Sequence, residues 1–268
     1  VTVVGSAAVD RIDGGPASPG GAPAFAAVGL GATPGGGRVI TRYAAGDAEL
    51  FEGVVGQAGL EVTVLASRTT SGFGLRYAGD RRVMTVDAIG DEWTAEEIGG
   101  AGIETTWVHV AALLRSDFPV GTVRALAARH LVSYDGQGLV RVPRVGPLEV
   151  DGDFDPEVLR SVGILKLAED EAEVLAGGGF GRRAAGELGV PEILVTYGSD
   201  GCEVFCDGGV TNVPAARKVS GVSATGAGDV FTMAYVAGRA RGVGPVAAAE
   251  EASRVVAEML EARRAGAG

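Results

Sequence analysis

From Trp107 onward the chain alternates short apolar runs with longer stretches of helical pattern, and this alternation constrains the fold more than any other feature. The runs at 107–110, 131–134, 162–167, 193–197, 202–206 and 210–213 are rich in Val, Ile and Leu and predict strands. Helical patterns fill 119–129, 169–176, 182–188, 226–240 and 245–263. The first part of the chain begins in the same way. A buried-strand pattern covers Val1 to Gly5, and Pro19-Gly20-Gly21 opens an alanine-rich helix that runs to about Leu30. A turn at Thr33 to Gly37 leads to a strand at Val39 to Tyr43, a helix at Asp47 to Ala58 and a strand at Glu61 to Leu65. Strands and helices in this order predict an α/β fold with a mostly parallel central sheet covered by helices on both faces.

Residues 70–87 break the pattern. Phe73, Leu75 and Tyr77, then Val83, Thr85 and Asp87, alternate around Ala78-Gly79-Asp80, which is the mark of an antiparallel hairpin. With no repeat and no long linker, the chain is expected to form a single domain over 1–268, with small lid elements at about 11–18 and 70–87.

A formal net charge of −11 argues against a duplex nucleic-acid binder, whose affinity rests on neutralising phosphates. No apolar run is long enough to span a bilayer, and no basic signal-peptide region opens the chain, so a cytoplasmic protein with no membrane partner is expected. The two cysteines, Cys202 and Cys206, fall on the same side of one predicted strand and read as reduced thiols. With only His109 and His130 beside them, Cys and His alone cannot make a zinc site.

The 45 glycines produce chance motif matches. Gly179 to Ala184 and Gly242 to Ala247 both fit G-x-G-x-x-A, but neither follows a strand, so neither is a dinucleotide fingerprint. The only lysines, Lys166 and Lys218, precede Leu167 and Val219, which excludes a Walker A loop. A protein-kinase His-Arg-Asp loop and a G-x-S-x-G elbow are also missing.

Chemistry concentrates in Ser223-Ala224-Thr225-Gly226-Ala227-Gly228-Asp229-Val230-Phe231. At a helix start the amides of Gly226, Ala227 and Gly228 are free donors at a positive dipole end, and small residues let an anion approach. Asp229 would repel that anion unless it has work there, such as taking a hydroxyl proton during phosphoryl transfer. Simple helix capping by Ser, Thr and Asp is the competing reading.

Thr225-Gly226-Ala227-Gly228-Asp229-x-Phe231 resembles the signature of the ribokinase-like (PfkB) carbohydrate kinase family. Three more landmarks follow the family's order: Gly20-Gly21 before a small-residue helix, Lys166-x-x-x-x-Glu171, and Val195-Thr196-Tyr197-Gly198-Ser199-Asp200-Gly201. The resemblance implies a three-layer α/β/α sandwich with a small β lid. It also implies a magnesium-dependent, ATP-using phosphotransferase that acts on an alcohol of a sugar, polyol or nucleoside. In that frame Asp229 is the base and 226–228 the anion hole, while Asp10, Gly20 and Gly21 hold the acceptor. Lys166, Thr196, Gly198, Gly201 and Thr225 lie along the nucleotide, and Glu171 helps to place Mg²⁺. Asp135-Gly136-Gln137-x-x-x-Arg141 resembles a segment of myo-inositol kinase-like relatives, which adds Gln137 and Arg141 to the substrate site. Relatives that pair lid strands between subunits suggest a homodimer.

Plain alternatives stand beside these assignments. Asp10 also reads as a turn aspartate, Arg141 as a surface ion pair and Lys166 as a solvated strand-end lysine. Trp93 and Trp107 read as packing residues. The chain departs from the family pattern at Ser223, where an Asp is usual, which weakens the case for a monovalent cation. It departs again at Ala168, where an Asn is usual, and at Phe25 and Ala8, which argue against simple ribokinase specificity. A non-catalytic nucleotide or sugar sensor and a nicotinamide-dependent dehydrogenase are the rival functions.

Overall fold

A computed structural model describes the backbone of residues 1–57, 60–78 and 81–266, and side chains throughout these except at 22–24, 27, 54–57, 77, 78, 81 and 82. Nine strands form the main sheet. They are β1 (Thr2–Ser6), β4 (Arg38–Ala44), β5 (Glu61–Ser67), β8 (Trp107–Val110), β9 (Leu131–Asp135), β11 (Ile164–Ala168), β12 (Glu192–Thr196), β13 (Cys202–Cys206) and β14 (Gly209–Val213). Their order is β14-β13-β12-β11-β9-β8-β1-β4-β5. Strands β5 through β12 in that order are parallel; β13 runs antiparallel to β12, and β14 runs antiparallel to β13.

Two-residue periodicity sends neighbouring side chains into opposite helical layers. Val3, Ile164, Leu194 and Val204 pack under α1 (Ala22–Gly31), α8 (Ala227–Ala240) and α9 (Pro245–Gly266). Val4, Leu165, Ile193 and Phe205 face the other way, toward α3 (Ala95–Gly100), α4 (Val120–Ala127), α5 (Gln137–Val140), α6 (Glu169–Ala176) and α7 (Arg182–Leu188). This is the three-layer α/β/α sandwich. Helices α6 and α7 stop on Gly177 and Gly189, both in the left-handed conformation that ends a helix without a Cβ clash.

A second sheet of five strands lies over one end of the first. It contains β2 (Ala8–Ile12), β3 (Ala17–Gly20), β6 (Ser71–Ala78), β7 (Arg81–Ala88) and β10 (Gly146–Pro147), in the order β10-β7-β6-β2-β3. Helix α2 (Ala48–Gln57) packs near its β3 edge, with Phe51 buried against Ala7 and Val9.

Several sequence expectations need correction. Residues 8–20 contribute two strands that the sequence reading did not assign: β2 pairs antiparallel with the adjacent β3 and parallel with the distant β6. The inward residues of β7 are Met84 and Val86, paired across from Leu75 and Phe73. Val83 and Asp87, two of the residues whose alternation marked the hairpin, are exposed. Gly79 and Asp80 of the expected hairpin turn, and Ala58 at the expected end of α2, lie outside the described residues. Helices α3 and α5 have no counterpart in the sequence reading: α3 starts on a Thr94–Glu97 capping box, and α5 is a single turn held between β9 and α6. Trp93 is fully buried, stacked on Phe118 and beneath the Arg42 guanidinium, and Trp107 packs against the α8–α9 layer. Cys202 and Cys206 share one face of β13 as free thiols. Cys202 is buried, which pushes its thiol up to about 12, whereas Cys206 is only half-buried.

Candidate active site

The site forms where parallel strands end. Asp135 closes β9, Ala168 closes β11 and Thr196 closes β12, and the loop from β14 comes across them to start α8. In open α/β sheets, ligands bind at this edge.

The start of α8 is built on Gly226, the N-cap residue, at φ 78°. A side chain there would meet left-handed strain and would also overlap the ring of Phe25 on α1. No side chain caps the helix. The Ser223 hydroxyl instead donates to Thr225 Oγ1 at 3.0 Å and accepts from the Thr225 amide at 3.3 Å. Sequence reasoning expected three free amides. The structure leaves two, because Ala227 N–H donates to the Ala224 carbonyl at 3.0 Å. The Gly226 and Gly228 amides have no acceptor among the described residues.

Behind this loop lies a buried cluster of charges. Lys166 Nζ stands 3.7 Å from Asp135 Oδ1, and both side chains are sealed from solvent. Glu171 accepts the Ala168 amide at 2.8 Å through one oxygen. Burial alone would push the Lys166 ammonium down. The facing carboxylates of Asp135, Glu171 and Asp229 outweigh it and hold the amine charged. Burial pushes Glu171 up, and Lys166 works against that. Asp229, at the pocket floor, is pushed up to about 7 by burial and by Asp135, against the pull of Lys166 and Arg141. His109 is buried between strands, its Nδ1 3.2 Å from Ser133 Oγ, and burial holds it down to about 4, so it is neutral.

In front of the loop, a cavity of about 890 Å³ is lined by Asp10, Gln137, Arg141, Asp229 and the 223–226 and 228 backbone. Its apolar walls come from Phe25 on α1, Phe73, Leu75 and Met84 of the lid sheet, and Leu113. Asp10 sits on β2, pushed up to about 6 by burial with Arg141 opposing. Gly20 lies directly beneath its carboxylate, and any side chain at Gly20 would displace it. Gly21, at φ 86°, also lines the cavity and turns the chain into α1.

A smaller pocket of about 190 Å³ lies on the other side of the loop. Thr196, Gly198 and Gly201 line it, with Ala227, Gly228 and residues of α9. Thr196 Oγ1 donates to the Leu167 carbonyl at 3.2 Å. Gly201, at φ 104°, lies against the Val213–Ala215 backbone, with no room for a side chain.

The structure thus brings together Asp10, Gly21, Gln137, Arg141, Thr225, Gly226, Gly228 and Asp229 in one cavity. Thr196, Gly198, Gly201 and Ala227 meet in the other, and Gly228 borders both. Thr225, expected along a nucleotide, faces the larger cavity. Lys166 and Glu171 line neither and sit buried behind the loop, so Lys166 is not a solvated strand-end residue. Sequence reasoning missed Asp135 as a charge partner and missed Arg263, whose guanidinium reaches the loop from α9. Asp135 was visible as the acid directly after the predicted strand at 131–134, while nothing near Arg263 in the chain marked it.

Glu171 fits a supporting role for Mg²⁺. One of its oxygens is held by the backbone, and the other has no protein partner among the described residues. Mg²⁺ commonly takes only one or two carboxylates and fills its remaining positions with water and phosphate. No group of three or more His, Cys, Asp or Glu side chains able to hold a metal occurs among the described residues. No helix among them is long and apolar enough to cross a membrane.

The sequence profile of the pfkB family carbohydrate kinases matches residues 152–267. None of the curated proteins compared matches this chain. Among solved structures, the chain is similar to a pyrophosphate-dependent kinase in the ribokinase family complexed with a pyrophosphate analog and myo-inositol. The two are 26% identical with a TM-score of 0.84, over 97% of this chain and 94% of that one. A pyrophosphate-dependent myo-inositol-1 kinase converted into a myo-inositol-3 kinase is 25% identical, with a TM-score of 0.83 over 97% of this chain and 92% of that one. The Burkholderia thailandensis nucleoside kinase in complex with inosine shares the fold, at 19% identity and a TM-score of 0.74, over 97% of this chain and 91% of that one. The family match over residues 152–267 and the likeness of the whole chain to ribokinase-family kinases together support an enzyme of the carbohydrate kinase type on the ribokinase-like fold.

Proposed function

We propose that this kinase transfers a phosphoryl group to a hydroxyl of a small cyclic polyol, with myo-inositol the first acceptor to test and sugars and nucleosides next. One observation carries the reading: Asp229, the Gly226 and Gly228 backbone and three polar side chains, Asp10, Gln137 and Arg141, line a single cavity. Its polar groups suit several ring hydroxyls, and its apolar walls suit the C–H face of a ring. The similar kinases that act on myo-inositol favour the same acceptor class.

In this reading Asp10 and Gln137 accept and position hydroxyls, and the Gly20-Gly21 turn lets the acceptor lie close to the backbone. Asp229 takes the proton of the attacking hydroxyl as its oxygen bonds to the terminal phosphorus. The bond from that phosphorus to the bridging oxygen breaks, and the bridging oxygen leaves with the remainder of the donor. The Gly226 and Gly228 amides, with the turn held by Ala227, receive the developing charge, and Arg141 faces the transferring group. ATP is the donor proposed, along Thr196, Gly198, Gly201 and Thr225, with Lys166 holding the charge balance behind the loop. Bound Mg²⁺ would neutralise donor phosphate charge, with Glu171 helping to hold it. A cytoplasmic location is part of the same proposal. The resemblance gives no strong case for a monovalent cation, and pairing of lid edges into a homodimer belongs to the same proposal.

A second reading keeps the chemistry and changes the donor to pyrophosphate. The smaller pocket, at about 190 Å³, is tight for a nucleotide, since ligand pockets commonly measure about 300–1,000 Å³. The deciding experiment offers ATP or pyrophosphate, with Mg²⁺, against a panel of inositols, sugars and nucleosides, and identifies the product by ³¹P NMR. A phosphorylated polyol supports the reading, and the donor consumed chooses between its two forms. Absence of transfer to every member of the panel would sink it and revive the sensor.

A further inference from the structure

We infer that Arg263, in the last turn of α9, is a positioning residue for the anion-binding loop, serving as a built-in cation that aims the loop's amides. The inference rests on the phosphotransfer reading of that loop. A single guanidinium nitrogen, Nη1, donates to two backbone carbonyls, Ser223 O at 3.2 Å and Thr225 O at 2.8 Å. A trans peptide places its carbonyl and the following N–H on opposite sides. Pinning Thr225 O toward α9 therefore turns the Gly226 N–H away from α9, and Gly226 lines the cavity on that other side. Pinning Ser223 O acts on the Ala224 N–H in the same way. The Ala224 carbonyl, in turn, accepts from Ala227 and closes the helix start.

This anchor matters because little else holds the loop. Residues 223–225 are exposed, their two hydroxyls bond each other, and Gly226 adds no side chain. Two further ties join the same helix to the segment that leads into the loop. Ser253 Oγ accepts the Ala216 amide at 2.8 Å, and Glu261 pairs with Arg217 at 3.1 Å. Of the three, only the Arg263 tie reaches the carbonyls that set the amide directions. A positive charge on that side also strengthens the field that the loop offers an anion, since it polarises the same peptide units.

The test compares R263Q, R263K and R264A with wild type and with D229N, in the donor and acceptor pair that supports turnover. R263Q is expected to lower kcat about ten- to a hundredfold, less than the roughly 10²–10³-fold cost of removing an oxyanion donor outright, because the amides are misaimed and not deleted. KM for the acceptor should stay within about twofold, because the acceptor's own contacts are untouched. R263K should recover most of the rate, since one ammonium can serve two carbonyls that now share one nitrogen, and added methylguanidinium should partly rescue R263Q. R264A, on the exposed neighbour, should match wild type. Thermal melts separate these effects from unfolding, and where R263Q melts below the assay temperature R263K decides. If R263Q keeps full kcat while D229N is inactive, the Arg263 proposal is overturned and the site reading survives. If D229N also keeps full kcat, both are overturned. A loss in R263Q that appears only as a raised acceptor KM also overturns it.

Discussion

Asp229 carries the most consequence of any single residue. Burial and Asp135 lift its carboxyl from the ordinary 3.8 to about 7, within the range where a general base is useful near neutral pH. Asp229→Asn should lower kcat by about 10²–10⁴-fold with nucleotide or pyrophosphate binding retained. In wild type, kcat/KM should rise with pH through an acid limb near 7, as Asp229 loses its proton in the free enzyme. An acid limb near 4 would instead mean that the carboxylate is as free as in water. The same shift acts on stability. The folded state prefers a protonated Asp229, so the contribution is present below about 4 and is lost as pH rises through about 7. Asp229→Asn should therefore melt higher than wild type above pH 7 and gain less at pH 5, where wild type is already protonated. Calorimetry at the two pH values checks the sign. The position of Asp229 was legible from the short Gly-Ala-Gly-Asp string, but its proton affinity was not, because Asp135 and Lys166 arrive from strands far away in sequence.

At the scale of elements, the start of α8 and the face of α1 are one unit. Gly226 meets the Phe25 ring, and Gly29 lets α1 lie against Val230 and Met233. Phe25 reads in the sequence as the loss of a polar contact, whereas in the structure it packs on the Gly226 turn and lines the larger cavity. Gly226→Ala should then destabilise twice. Left-handed strain costs about 1–2 kcal/mol and overpacking against Phe25 about 1–3 kcal/mol more. A lower melting temperature together with reduced kcat is the expected result, and a variant with unchanged melting would show that the turn can move off Phe25. The strands and helices after Trp107 were legible because strands buried on both faces leave continuous apolar runs. The strand β2 was not. Its residues Asp10-Arg11-Ile12 follow a local polar pattern, and they become a strand by pairing with β3 on one side and the distant β6 on the other.

At the scale of the molecule, the second sheet roofs the site. Phe73, Leu75 and Met84 line the cavity that holds Asp229, and in the proposed phosphotransfer this apolar roof would limit water beside the transferring group. A Phe73→Ala, Met84→Ala double variant should leave the main sheet folded and should raise donor hydrolysis relative to transfer. Counting inorganic phosphate against phosphorylated acceptor measures that ratio. An unchanged ratio would mean that the roof serves only to bind. The hairpin itself was legible, but its phase was not. Pairing of Leu75 with Met84 and of Phe73 with Val86 sends those side chains inward and leaves Val83 outside.

Local pattern along the chain was enough for the layered α/β architecture and for the glycine-rich loop with its carboxylate. Each depends on neighbours a few residues away: a run of apolar side chains, a glycine that must turn, an acid directly after Gly-Ala-Gly. Three-dimensional packing settled which amides stay free, which charges meet behind the loop, and that an arginine about forty residues further on grips the loop's carbonyls. Those outcomes depend on where separate strands and helices converge, and a carboxyl's proton affinity or a peptide's orientation follows from the groups around it in space, which no short stretch of sequence contains.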